Sequence, residues 1–174
     1  MPIVRGLLDR IVLIAGVLAG GTAPSFVAQY RQRIGGRLDQ ARIDLAPFQD
    51  IANLFHHGSL DALIEHHLRS SDPTFHREGE AIKALMDSVL HLETEFNGLT
   101  GSLAHQAWFL VRNYDPSTLS ATWEIYEPAF TFSVEGFVFA GFVGVALWGA
   151  FLATWYAVSW GTSLVAARPT RGSR

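Results

Sequence analysis

Residues 136–167 form a run of 32 positions without one charged side chain, followed by a tail that carries Arg168, Arg171 and Arg174. As an α-helix the run would extend about 48 Å at roughly 1.5 Å per residue, against the ~30 Å hydrocarbon core of a bilayer. The run is therefore long enough to span a membrane, and either the helix emerges from the lipid or only part of it lies there. Its length and lack of charge constrain the chain more than any other feature.

The other end of the chain holds a counterpart. Residues 11–28 are 18 charge-free positions, bracketed by Asp9 and Arg10 before and by Arg31, Arg33 and Arg37 after. They sit at the lower length limit for a span. A cleaved secretory signal is the competing reading, because Arg5 and Arg10 supply a basic n-region and residues 19–23 offer a small-residue cleavage site. Cleavage would leave one anchor instead of two. With both spans retained, the chain divides into an N-terminal flank and first span over 1–30, a helical extramembrane domain over 31–134, a second span over 135–167 and a basic tail over 168–174. The formal net charge of −3 and the apolar fraction of 49% conceal this, since the apolar residues crowd the two ends.

Basic residues suggest a direction. Residues 31–134 hold 8 basic and 14 acidic side chains, whereas Arg5, Arg10, Arg168, Arg171 and Arg174 flank the spans on the terminal side. Two spans place both termini on one side, so the positive-inside rule puts the termini in the cytoplasm and the acidic domain in the periplasm of a bacterial inner membrane. Arg31, Arg33, Arg37 and Arg42 argue the other way. In that opposite orientation they would meet anionic headgroups.

Between the spans the periodicity is helical throughout. Leu38, Ile43, Leu45, Phe48, Ile51, Ala52 and Phe55 recur at helical spacing and extend the first span outward, with Pro47 expected to kink or break the helix. Gly58 stops it. Ser59 then caps a short helix to about Leu68, and Asp72-Pro73 opens a long one to about Phe96. Phe75, Ile82, Leu85, Met86, Val89, Leu92 and Phe96 give that helix an amphipathic stripe of coiled-coil character, whose expected antiparallel partner is the segment 38–55. Further helices are predicted from Ser102 to Arg112 and after Asp115-Pro116, ending at Glu127-Pro128. The expected fold is an all-α membrane protein: two transmembrane helices flanking a helical extramembrane domain that contains an antiparallel helical hairpin.

The spans carry packing signals. Gly16 with Gly20, Ala140 with Gly144, and Gly149 with Ala153 place small residues four apart, which lets helix backbones approach closely, either within this chain or against another. Trp148, Trp155, Tyr156 and Trp160 read as an interfacial belt, with Trp148 deep enough to face a protein partner. Trp148, Trp155, Trp160 and Glu135, at the mouth of the second span, are the candidate partner-binding residues. An intramembrane carboxylate would be functional, but one at the mouth of a span is more simply solvated.

Chemistry is sparse. With zero cysteines there are no disulfides, thiolate metal sites or cysteine nucleophiles. Of the 7 histidines, His56, His57, His66 and His67 bracket one short hairpin and would meet a divalent metal if the turn at Gly58 folded one pair over the other. Consecutive histidines point about 100° apart on a helix, so at most one of each pair can face a common centre. Their near-neutral pKa also suits a pH-responsive patch, and solvated or packing histidines are the plainer reading. HExxH, P-loop, GxSxG and Rossmann signatures are absent from the sequence, and the acidic domain would repel nucleic acid. Acidic pairs such as Asp61 with Glu65 read as solvated-face residues.

Leu-Ala-Gly-Gly at 18–21, Pro24-Ser25-Phe26-Val27, Gln29-Tyr30, Leu45-Ala46-Pro47-Phe48-Gln49, Leu60-Asp61-Ala62-Leu63-Ile64, Asp72-Pro73-Thr74-Phe75 and the approach over 123–141 together resemble a family of proteobacterial inner-membrane proteins, the domain of unknown function DUF2937. The resemblance covers most of the chain. It implies two spans around a helical loop and carries over no catalytic residue. The expectation is a non-enzymatic structural or accessory subunit of an inner-membrane assembly, acting through helix-helix contacts and needing no cofactor. Its partners would be membrane lipids and either further copies of itself or a larger complex. The alternative is a ligand-, pH- or metal-sensing module built on the histidine-rich hairpin.

Overall fold

The structure is a computed structural model that describes residues 2–130 and 132–166, with side chains described over 4–130 and 132–159. The basic tail 168–174 lies outside the described residues. Six helices follow in order: α1 (Pro2–Phe55), α2 (Leu60–Leu68), α3 (Pro73–Gly98), α4 (Leu103–Asn113), α5 (Pro116–Glu124) and α6 (Val134–Ala166). Among the described residues there is no strand. Contacts divide the chain into two units, one of residues 1–26 and 127–174 and the other of residues 27–126.

α1 runs through Pro47 without a break. Proline removes the N–H that would bond the carbonyl of Ile43. Ile43 and Pro47 are both exposed, so water can take that carbonyl's hydrogen bond and the helix need not end there. The helix stops at His57 and Gly58, both left-handed (φ 53° and 83°). A reversal of this kind suits glycine and is strained for histidine.

In the unit of residues 27–126 the core stripe of α1 is Val27, Tyr30, Ile34, Leu38 and Ala41, with Ala52 farther along. Spacings of three and four put the first five on one face. This differs from the expected stripe: Ile43, Ile51 and Phe55 are exposed, at 64%, 40% and 74%. α1 meets α3 over residues 30–42, through Tyr30 with Glu95, Gly35 with Phe96 and Arg42 with Glu93. α3 buries Ile82, Val89 and Leu92 as its periodicity predicts, but also Gly79 and Glu95, while Phe75 stays exposed. Gly79 is where α2 crosses: a Cβ there would stand 2.9 Å from His67 Cβ and 3.0 Å from the Leu68 nitrogen. Polar caps start the shorter helices, Ser59 accepting from the Ala62 N–H, Asp72 from Thr74, Ser102 from His105 and Asp115 from Thr118.

The other unit is built on two antiparallel helices. Going down α1 from Gly20 to Gly16, Asp9 and Arg5, the partners climb α6 from Ala140 to Gly144, Trp148 and Tyr156. The antiparallel sense follows from that order. Both helices are long and apolar enough to cross a membrane.

Candidate functional site

Unit 27–126 is organised around a buried polar node that no motif in the sequence announces. Tyr30 is fully buried on α1, and its hydroxyl donates to Glu95 Oε1 of α3 while accepting the Asp115 N–H at 3.0 Å. An ionised carboxylate can only accept, so the phenol is the donor of that pair. Glu95 is 5% exposed; its Oε2 has no hydrogen-bond partner and lies 4.0 Å from His91 Nε2. Asp115 caps α5 by accepting from Ser117 Oγ at 2.5 Å, Thr118 Oγ1 at 2.6 Å and Thr118 N at 2.8 Å. Those hydroxyls, the amide and the nearby Arg37 guanidinium hold its carboxyl well below the usual carboxylate range.

Beside this node α1 and α5 form a cleft of about 290 Å³ lined by Arg33, Arg37, Ser117, Thr118 and Ala121. Arg33 Nη2 donates to the Ala121 carbonyl at 2.8 Å. Arg37 Nη1 donates to Thr118 Oγ1 and lies 3.4 Å from Asp115 Oδ2. Arg31 turns elsewhere, its guanidinium 4.6 Å from the Phe96 ring centre, and Arg42 pairs with Glu93 at 2.7 Å.

The four candidate metal histidines do not converge. His56 and His66 come together, ring centres 5.4 Å apart, beside a cleft of about 430 Å³ that Glu65 and Arg69 also line. His67 faces the other way: its Nδ1 lies 2.9 Å from the Leu63 carbonyl and its Nε2 3.7 Å from Glu78. His57 occupies the left-handed turn. Among the described residues no group of three histidine or carboxylate side chains stands together as a metal's ligands would. One imidazole of each pair, His56 and His66, is thus brought together, while α2 turns His67 to a different side and the turn takes His57.

The small residues of the apolar helices divide into two sets. A Cβ on Gly16 would lie 2.9 Å from Gly144 Cα, one on Gly20 2.9 Å from Ala140 Cα, and one on Gly144 2.6 Å from Val17 Cγ2. Gly149 has nothing within 4 Å, and Ala153 is exposed, so this pair faces away from α1. Phe130 lies against Gly21, where a Cβ would stand 1.9 Å from its ring.

The aromatic residues divide as well. Trp148, expected to face a partner, donates its indole N–H to Asp9 of its own chain. A carboxylate beside apolar helices needs a donor, and the indole supplies it. Tyr156 accepts from Arg5 at 2.9 Å. Trp155 packs on Phe151, ring centres 6.0 Å apart, and Glu135 is exposed in the first turn of α6. The Trp160 side chain lies outside the described residues.

Unit 27–126 also exposes large apolar side chains, among them Leu54, Phe55, Trp108, Val111, Trp123 and Ile125, at 59–76%. Their helical periodicity marks them as apolar positions, but periodicity alone does not separate an exposed stripe from a buried one.

These features define an all-helical protein with two helices long and apolar enough to cross a membrane. The chain belongs to the family described as "Protein of unknown function (DUF2937)", which it matches over residues 4–163. No curated protein and no solved structure matches it.

Proposed function

We propose that this protein is a structural or accessory subunit of a bacterial inner-membrane assembly, acting through helix-helix contacts. The observation that carries the reading is the exposed apolar surface of the acidic unit, where Leu54, Phe55, Trp108, Val111, Trp123 and Ile125 are each more than half exposed. Exposed apolar side chains that adjoin one another mark interaction surfaces, and Trp108 and Val111 are such neighbours, one turn apart on α4. In this reading α1 and α6 are the two transmembrane helices. The most apolar windows of α1 and α6 are only 22% and 17% buried, unlike the core helix of a soluble protein. The termini are cytoplasmic and the central domain periplasmic, from the distribution of arginines. Gly149 and Ala153 present a second helix-packing face, to another copy or to a subunit of the complex.

The test is purification of the full chain from membranes in mild detergent after brief crosslinking, with mass and identity of what accompanies it. A defined homo-oligomer or a stoichiometric partner is expected, lost when Trp108 and Val111 are changed to Ser and Thr. A monomer with nothing co-purifying would overturn the reading.

The close approach of His56 and His66 favours a second reading, a metal- or pH-sensing module. Two imidazoles on one tetrahedral zinc, at about 2.1 Å from metal to nitrogen, have ring centres about 5 Å apart, and these rings stand at 5.4 Å. Isothermal titration of the full chain with zinc, beside the His56→Ala/His66→Ala variant, separates the two. Identical, non-saturating traces would end the metal-sensing reading, and identical pH profiles of helical circular dichroism in the two proteins would end the pH-sensing one.

A further inference from the structure

We propose that the cleft between α1 and α5 is a binding site for a phosphate-bearing anion, held by the paired guanidiniums of Arg33 and Arg37. Arg33 and Arg37 are one turn apart on α1, so their guanidiniums project on one face. Both line the same cleft of about 290 Å³, opposite the first turn of α5. That volume accommodates a phosphate group with part of what it is attached to.

The donors are partly committed and partly spare. Arg33 uses Nη2 on the Ala121 carbonyl, and Arg37 uses Nη1 on Thr118 and Asp115. The remaining N–H groups of both guanidiniums have no protein partner among the described residues. The internal bonds hold each fork in place, and the free edges supply the planar, paired donors that match phosphate oxygens. Among the described residues Asp115 is the one carboxylate in contact with either arginine, so two positive charges face one negative charge there. That carboxylate is itself occupied by Ser117 and Thr118. The N-terminal amide of α5 is taken by the same cap, so the site rests on the arginines and not on the helix end.

Position in the sequence favours a lipid source. Arg33 and Arg37 follow the last residue of the first apolar run by five and nine positions, about 8 Å and 14 Å further along a helix, close to the headgroup phosphates of whichever leaflet the domain borders. Free phosphate has the same recognition chemistry, and the experiment distinguishes the two.

The full chain, purified in mild detergent, is titrated with phosphatidylglycerol and separately with inorganic phosphate, and bound stoichiometry is read by native mass spectrometry. Saturable binding of one molecule is expected, weakened about tenfold or more in the Arg33→Gln/Arg37→Gln variant and unchanged in Arg77→Gln, an exposed arginine on α3. Phosphatidylglycerol binding that millimolar phosphate does not displace identifies the headgroup. Binding or displacement by inorganic phosphate itself identifies the free anion.

Because Arg33 and Arg37 also tie α1 to α5, the double variant is checked by its helical circular dichroism. The wild-type chain is in addition footprinted with phenylglyoxal, where ligand should protect Arg33 and Arg37 and leave Arg77 reactive. Absence of binding by the wild type, equal loss in Arg77→Gln, equal binding by a folded double variant, or no selective protection would each overturn the proposal.

Discussion

The Tyr30 hydroxyl donates to the Glu95 carboxylate and accepts the Asp115 amide, so one buried side chain of α1 ties the end of α3 to the start of α5. The two contacts reach 65 and 85 residues along the chain. An unsatisfied buried carboxylate or amide is costly, and Glu95 already has one oxygen without a partner.

Tyr30→Phe keeps the ring but strands Glu95 and the Asp115 amide. It should destabilise the chain by about 2–3 kcal/mol, read from chemical denaturation in detergent. Glu95→Gln, which still offers an oxygen to Tyr30, should cost less than about 1 kcal/mol. Equal effects of the two variants would show that the hydrogen bond is not what holds the node.

The glycine seam predicts a contrast along α6. Gly144→Val drives a branched side chain into Val17 and the Leu13 carbonyl, and should lower stability by about 1–3 kcal/mol. Gly149→Ala meets open space and should fall within about 0.5 kcal/mol of wild type. Thermal unfolding of the two proteins in the same detergent compares them directly.

The Asp115 cap predicts the sign of a pH effect. Because the folded-state pKa is depressed, the stabilisation is complete above the ordinary carboxylate range and is lost only as pH falls through the lower folded value. Asp115→Ala should cost about 1 kcal/mol at neutral pH. The gap between variant and wild type should narrow on strong acidification. A gap that widened would mean the carboxylate is not the stabilising form.

The turn after α1 holds His57 at a positive φ. His57→Gly relieves that strain and should stabilise by up to about 1 kcal/mol, while Gly58→Ala should destabilise by a similar amount. Melting curves of the two variants should move in opposite directions. If His57→Gly is instead the more destabilised, the imidazole has a role that the turn geometry does not explain.

Much of the helical order was legible because it depends on neighbours in the chain. Ser59, Asp72, Ser102 and Asp115 sit immediately before the helices they cap, and Pro73 and Pro116 occupy first positions where a missing N–H does no harm. Pro47 misled because the effect of a proline depends on whether water can reach the carbonyl it frees, which is a matter of exposure. The stripe of α1 misled for a related reason. Residues 27–41 and 43–55 both show helical apolar spacing, and only packing decides that Ile34 is buried while Ile43 is exposed. The polar node was legible only in retrospect: Gln29-Tyr30 and Asp115-Pro116 stand out as words, but nothing in either points to Glu95.

The sequence alone determined two apolar helices, the helical segments between them, the caps that begin those segments and the membership of the family, all set by local spacing or by runs of like residues. The tertiary structure decided which glycines face each other, that Trp148 serves Asp9, that His56 meets His66 but not His57 or His67, and that Arg33 and Arg37 share a cleft with Ser117 and Thr118. Each of these joins residues from different elements. Such pairings depend on how helices pack in three dimensions, which local spacing does not encode.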